Sequence, residues 1–286
     1  MKSLKDHVIL YDAECPMCKV YTRAFTTTGM LDDEGRAPYQ HMPEFACPLV
    51  DRQRAVNEIA LIDKTTGEVR YGIDSLFAVI ANSFPMLKPL FSCKPFHWIM
   101  RKTYAFISYN RKVIIPANGK VIIPASPNVA IPAPKIDTHV FQPTFKLRYR
   151  LAYLVLTCSI VTYLLTALAR QFTGGIPAGT PWHASAIVGG QLLIQGLIIS
   201  VIAPAKRWEY LGNMMTISLA GALLLLPLLA AASLIQKSPG ITTGYFLLVA
   251  TAMLLEHLRR TKLLSLSPVL TVSWLLYPLL ILFIIL

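Results

Sequence analysis

"HVILYDAECPMCKVYTRAF", residues 7–25, decides how the rest of the chain is read. The run "VILY" is rich in strand formers, and after Pro16 the apolar residues Val20, Tyr21, Ala24 and Phe25 recur at helical spacing. The stretch therefore predicts a strand leading into a helix, with Cys15 as N-cap and Pro16 as the first helical residue, where its missing amide hydrogen does no harm. Unpaired amide hydrogens and the helix dipole at that end favour negative charge, so a thiolate at Cys15 is stabilised. Thiolates, not thiols, attack disulfides. Cys18, one turn further on, is expected under Cys15 on the same face, placed to resolve a mixed disulfide.

The same cysteines admit other readings. Cys15 and Cys18 with Cys47 and His41, or with Cys93 and His97, would supply four zinc ligands, although the second set lies in a region without knuckle-like glycines. Cys47 in "FACPLV" and Cys93 in "FSCKPF" are apolar in context and read as buried core thiols. The five cysteines do not resemble a secreted disulfide framework, and only the first two have meaningful spacing. Asp12 has two readings as well. It relays a proton for Cys18 during exchange, or it bonds backbone amides in the strand-to-helix turn.

Downstream, Glu58–Asp63 reads as a second strand, "DKTTGE" as a turn and "VRYG" as its hairpin partner. Helical patterns follow at Asp74–Ser83 and from about Pro95 to Tyr109. A strand, a helix, a hairpin and further helices fit a small α/β thioredoxin-like layer.

The remainder of the chain has a different solvent. Of 286 residues 54% are hydrophobic and the mean hydropathy is +0.52, too apolar for one soluble domain of ordinary composition. Thirteen of the 15 acidic residues lie at or before Asp137, and from Lys146 onward only Glu209 and Glu256 remain. The net charge of +12 does not point to nucleic acid, because ten basic residues fall in the gaps between long apolar runs and the soluble half has no basic run.

Five apolar segments are expected to span a bilayer, at Tyr149–Ala169, His183–Ala203, Leu211–Ile235, Ile241–His257 and Pro268–Leu286, the fourth being the shortest and the third kinked by Pro227. Basic residues near span ends are retained in the cytoplasm. Lys146, Arg148 and Arg150, then Lys206 and Arg207, then Arg259, Arg260 and Lys262 mark one side, leaving Arg170 and Lys237 on the other. The N-terminal half is thereby expected in the cytoplasm and the C-terminus outside. The first apolar run is too short for a signal-peptide core, in keeping with that orientation.

Polar residues within the spans have structural and functional readings. Gln191 and Gln195 either line a cavity for a quinone or bond a neighbouring helix, with Gly189 and Gly190 allowing close approach. Glu256 is expected to pair with Arg259 or Arg260, and His257 and His183 to anchor span ends. Cys158, near mid-bilayer, reads as a small apolar residue.

The residues Asp12, Cys15 and Cys18 in "LYDAECPMC" resemble the signature of the DCC family of thiol-disulfide oxidoreductases, Asp-x-x-Cys-x-x-Cys after a first strand. The resemblance continues through the Asp-led helix at Asp74 in "YGIDSLFAVI" and ends at "YAFISYNR", where Tyr104, Asn110 and Arg111 match a closing pattern, so it covers residues 7–112. It implies a thioredoxin-like fold and dithiol chemistry. Ala13 stands where the family usually has glycine, and no proline precedes the "NEIALID" strand.

The expected architecture is an α/β thioredoxin-like domain over residues 1–113, a Pro-rich extended linker over 114–145 built on three Val-x-Ile-Pro-Ala units, and an all-α transmembrane bundle over 146–286. The expected activity is thiol-disulfide exchange with a protein partner, Cys15 attacking and Cys18 resolving, with no bound cofactor required. With Cys158 as its single cysteine, the membrane half cannot pass electrons by dithiol exchange alone, so a quinone or another subunit would carry any electrons that cross. The alternatives are a non-enzymatic subunit of a membrane complex, and a zinc-binding domain.

Overall fold

The apolar run at the start of the chain forms strand β1, His7–Tyr11, and Pro16 opens helix α1, Pro16–Thr27. The structure is a computed structural model that describes residues 2–42, 46, 48–117, 144–172, 181–230 and 239–285. The chain divides into two units, Met1–Lys146 and Leu147–Leu286.

In the first unit, β1 is followed by α1, a short strand β2 at Arg36–Pro38, helix α2 at Arg52–Asn57, and the hairpin of β3, Ala60–Asp63, with β4, Val69–Tyr71. Helices α3, Ile73–Ser83, α4, Lys88–Ser92, and α5, Lys94–Ile114, complete it. The sheet order is β2-β1-β3-β4, with β1 parallel to β2 and antiparallel to β3. Strand β1 is therefore internal and covered on both faces, which is why its sequence is a continuous apolar run rather than an alternation. Val8 and Leu10 pack with Ala60, Ile62, Val50 and Ala55 on one face, while Ile9 packs with Leu61, Phe25, Leu31 and Val79 on the other.

The strands β1, β3 and β4 lie where the sequence places them, but β2 and α2 were not anticipated. Each is short, three and six residues, and carries too few positions to display a period. Helix α5 outruns its expected end at Tyr109 because its next turn buries Asn110, Arg111 and Val113, and it stops just ahead of Ile115 and Pro116. Gly72, at φ +60°, is the N-cap of α3, a backbone conformation that suits glycine. A Cβ there would also lie 3.0 Å from a Glu58 oxygen and 3.1 Å from the Tyr104 ring. The repeated Val-x-Ile-Pro-Ala units beyond Ala117 lie outside the described residues.

The second unit is helical. Its elements are α6, Leu147–Phe172, α7, Pro181–Ile202, α8, Arg207–Leu224, α9, Leu226–Ala230, α10, Pro239–Leu263, and α11, Val269–Ile285. Among the described residues four stretches are long and apolar enough to cross a membrane: Leu147–Gln171, Pro181–Ile202, Pro204–Ala230 and Gly240–Leu263. The third of these breaks at Leu225, between α8 and α9, where Pro227 cannot donate its amide and crowds the carbonyl four residues back.

Two span lengths differ from expectation. The fourth is not the shortest, because α10 continues through the basic cluster, where Glu256 pairs with Arg259 and with Arg260 at 2.6 and 2.7 Å. The fifth expected span, Pro268–Leu286, is met only in part by α11, whose 17 residues at about 1.5 Å each make it shorter than the four long stretches, so it is not counted with them.

Side chains from neighbouring helices tie this unit together. Gln191 Nε2 donates to the Trp274 carbonyl at 2.9 Å and Gln195 Nε2 to Ser273 Oγ at 3.0 Å, the helix-bonding reading of both glutamines. The Tyr277 hydroxyl donates to the Ala186 carbonyl at 2.8 Å, occupying space beside Gly190 that a Cβ would fill, at 1.9 Å from the phenol oxygen. His257, expected as an interfacial anchor, is instead 1% exposed. It bonds Thr271 at 3.1 Å and Tyr210 at 3.3 Å, and it stacks on Trp274. Outward positions are apolar, among them Val155, Leu193, Leu197 and Val201, the surface a bilayer would cover.

Candidate redox site

The turn between β1 and α1 holds the cysteines. Cys15 is the N-cap of α1 in extended conformation, Pro16 lies in the first helical turn, and the Cys18 backbone N–H donates to Cys15 Sγ at 3.3 Å. One of the orphan amides of the helix start is thus directed at sulfur, the arrangement that favours a thiolate. Cys18 lies in the first turn with Thr22 and Phe25 on the buried face of α1, and Thr22 Oγ1 donates to the Cys18 carbonyl at 2.7 Å. Both cysteines are free and buried, at 7% exposure for Cys15 and 3% for Cys18.

The two sulfurs are electrostatically unequal. The Cys15 thiol is lowered to about 7, first by hydrogen bonding from the Cys18 side chain, then by the Cys18 amide and the Arg111 charge, with burial and Asp12 opposing. Cys18 is pushed up by its bond to Cys15, by burial and by repulsion from the Cys15 charge. Near neutral pH the pair thus favours one thiolate, on Cys15, over one thiol, on Cys18.

Asp12 is buried at 6% exposure and fully engaged. Its Oδ1 accepts from the Glu14 amide at 2.9 Å and from Gln40 Nε2 at 2.8 Å, and its Oδ2 from Arg111 Nη2 at 2.8 Å. Gln40 Oε1 in turn accepts from the Ala13 amide at 3.1 Å, so the loop is clamped from the segment after β2. Of the two roles expected for Asp12, these contacts are those of the turn-bonding one, and no hydrogen bond joins Asp12 to either sulfur among the described residues. Ala13 is not among the residues of positive φ, so the loop does not require glycine there.

Arg111 reaches the site from α5. The same Nη2 donates to the Val56 carbonyl at 2.8 Å and Nη1 to the Asn57 carbonyl at 3.4 Å, so the cation also caps the C-terminus of α2. Tyr104, one of the closing-pattern residues, accepts the Ile59 amide on its hydroxyl at 3.1 Å. Tyr21 lies close enough to act on the Cys18 thiol, favouring its thiolate, and burial pushes its own phenol up.

Arg111 was legible as a motif residue but without a role. Tyr21 had a signal in its position three residues after Cys18. Gln40 had none, because β2 was not anticipated.

The other cysteines and histidines are placed as follows. Cys93, expected as a core thiol, is exposed, because it is the N-cap of α5 in the short turn after α4. His97 Nε2 is 2.6 Å from Asp74 Oδ1, and its ring lies edge-on to Phe77. Cys158 is half-buried in α6 and packs on the bundle core. Cys47 and the side chain of His41 lie outside the described residues. Among the described residues no group of three or more histidine, cysteine or carboxylate side chains is arranged to hold a metal. In comparisons with known proteins no family model matches the chain, and neither the curated proteins nor the solved structures gave a match.

Proposed function

We propose that this chain is a membrane-tethered thiol-disulfide oxidoreductase acting on a protein partner. The observation that carries the reading is the Cys18 amide donating to Cys15 Sγ at the head of α1. The reading gains support from the order strand, helix, strand, helix, hairpin, helix, which suits a thioredoxin-like domain. It rests on the resemblance of Asp12, Cys15 and Cys18 to the DCC signature rather than on a family match.

In the reducing direction the Cys15 thiolate attacks one sulfur of a partner disulfide. That bond breaks, Cys15 becomes disulfide-linked to the partner, and the departing thiolate takes a proton from water. Cys18 then attacks Cys15 Sγ, its proton passing to the second departing thiolate. The partner leaves as a dithiol with two electrons gained, and the chain holds a Cys15–Cys18 disulfide. Asp12 and Arg111 are positioning residues, since they shape the loop and its field and neither bonds a sulfur.

The apolar helices hold the domain at a bilayer. The alternation of basic gaps supports a cytoplasmic N-terminal half and a C-terminus outside, in which case the cytosolic redox poise favours the dithiol and the reductase direction. Electrons that cross the bilayer would pass through a quinone or another subunit. The test is trapping in native membranes. Cys18→Ser is expected to accumulate a partner linked through Cys15, and Cys15→Ser to accumulate none. No adduct in either variant would leave a binding subunit in its place.

A further inference from the structure

Among the described residues, the membrane unit buries a cation without a counterion. Arg150 lies one turn into α6 and is 5% exposed, and its Nε and Nη1 have no hydrogen-bond partner among the described residues. The carboxylate whose field reaches it is Glu209, an exposed residue at the start of α8, yet no ion pair joins the two. Taking a guanidinium out of water without a partner is costly, so the gap calls for an anion, and Arg207 Nε, in the basic group at the start of α8, is likewise without a hydrogen-bond partner among the described residues.

The surroundings are those of an anion site at a membrane surface. The hydroxyl of Tyr153, the next residue of α6 on this face, bonds Thr216 Oγ1 at 2.7 Å. The charges of both Arg150 and Arg260 act on Tyr153. Arg260 Nη1 donates to Asn213 Oδ1 at 3.0 Å, so α6, α8 and the end of α10 meet there. Arg148, Lys206, Arg207, Arg259 and Lys262 gather at the same ends of these helices, against Glu209 and Glu256. Guanidiniums match phosphate oxygens bidentately, and basic pockets between membrane helices take anionic headgroups.

We propose that Arg150 anchors a site for a phosphate oxyanion at the end of the bundle where α6 and α8 begin, supplied by an anionic phospholipid headgroup or by phosphate free in solution. The proposal is independent of the redox reading.

The test uses the full chain in nanodiscs of phosphatidylcholine alone, of phosphatidylcholine with phosphatidylglycerol, and of phosphatidylcholine titrated with inorganic phosphate. Lipid retained in native mass spectrometry and the thermal unfolding midpoint are read. A headgroup ligand gives retained phosphatidylglycerol and a raised midpoint. A free ligand gives a saturable rise with inorganic phosphate in the neutral discs. In either case Arg150→Gln weakens binding by about tenfold or more. Arg150→Lys, which keeps the charge and loses the planar fork, is intermediate, and Arg23→Gln, which removes an exposed cation of the first unit, binds as the native chain does. The proposal is overturned if the native chain responds to neither anion, a result that needs no variant to fold. It is equally overturned if Arg150→Gln responds as the native chain does.

Discussion

Arg111 lies ninety-nine residues after Asp12, yet its Nη2 is 2.8 Å from Asp12 Oδ2, with both side chains almost fully buried. This pair closes the first unit on itself. It joins α5 to the loop that presents the cysteines, and through Val56 and Asn57 it also holds the end of α2.

Breaking a buried pair from one side leaves an unpaired charge, at a cost of about 3–5 kcal/mol. Arg111→Met is therefore expected to destabilise the first unit by that order. The double variant with Asp12→Asn should recover part of the loss, because no buried carboxylate is then left alone. Urea-dependent alkylation of Cys18 in the full chain measures both.

The same two charges act on Cys15 with opposite sign, Arg111 favouring the thiolate and Asp12 opposing it. Alkylation of Cys15 in the native chain should rise with pH around a midpoint of about 7. Arg111→Met should move that midpoint up and Asp12→Asn should move it down. A common direction for both variants would show that they act by loosening the loop rather than through its field.

Stability of the reduced chain should follow the same ionisation. The folded value for Cys15, about 7, is below the ordinary 9.0, so its contribution is fully present above the ordinary value and is lost as pH falls through about 7. Cys18 is raised and works the other way, favouring unfolding once pH exceeds the ordinary thiol value. The reduced form should thus gain stability between about pH 7 and 9, as urea midpoints across that range would register. Cys15→Ser should flatten the rise.

Tyr104→Phe removes the hydroxyl that accepts the Ile59 amide just ahead of β3. A buried amide left without a partner costs about 1–3 kcal/mol. The variant should speed amide exchange at Ile59 while leaving the Cys15 midpoint close to its native value.

Much of this arrangement was legible because the signals were local. A strand former run, a proline after a cysteine, and a cysteine one turn on specify a strand, a helix start and an N-cap without tertiary information. Asp12 was legible as a site residue for the same reason, but its partners were not. Gln40 follows a three-residue strand with no period, and Arg111 meets Asp12 only once α5 has packed. In the second unit the apolar lengths placed four of the five expected spans, whereas His257 was misjudged. Its place beside the basic cluster suggested the water interface, and its burial depends on Trp274 stacking from α11.

Tyr210→Phe tests the network around that histidine. The Tyr210 hydroxyl donates to Gln195 Oε1 at 2.7 Å, and Gln195 continues to Ser273. Interhelical hydrogen bonds in membranes average about 0.6 kcal/mol and reach about 1.7. A loss within that range is expected in detergent unfolding, with the redox behaviour of Cys15 and Cys18 unchanged.

The most direct test of the central claim is redox titration of Cys15 and Cys18 in the purified chain against glutathione buffers, read by thiol alkylation and mass spectrometry. A single reversible two-electron transition linking Cys15 to Cys18, absent in Cys15→Ser and in Cys18→Ser, is the predicted result. Cysteines that stay independently alkylatable across the whole range of buffers, with no bond forming between them, would contradict it.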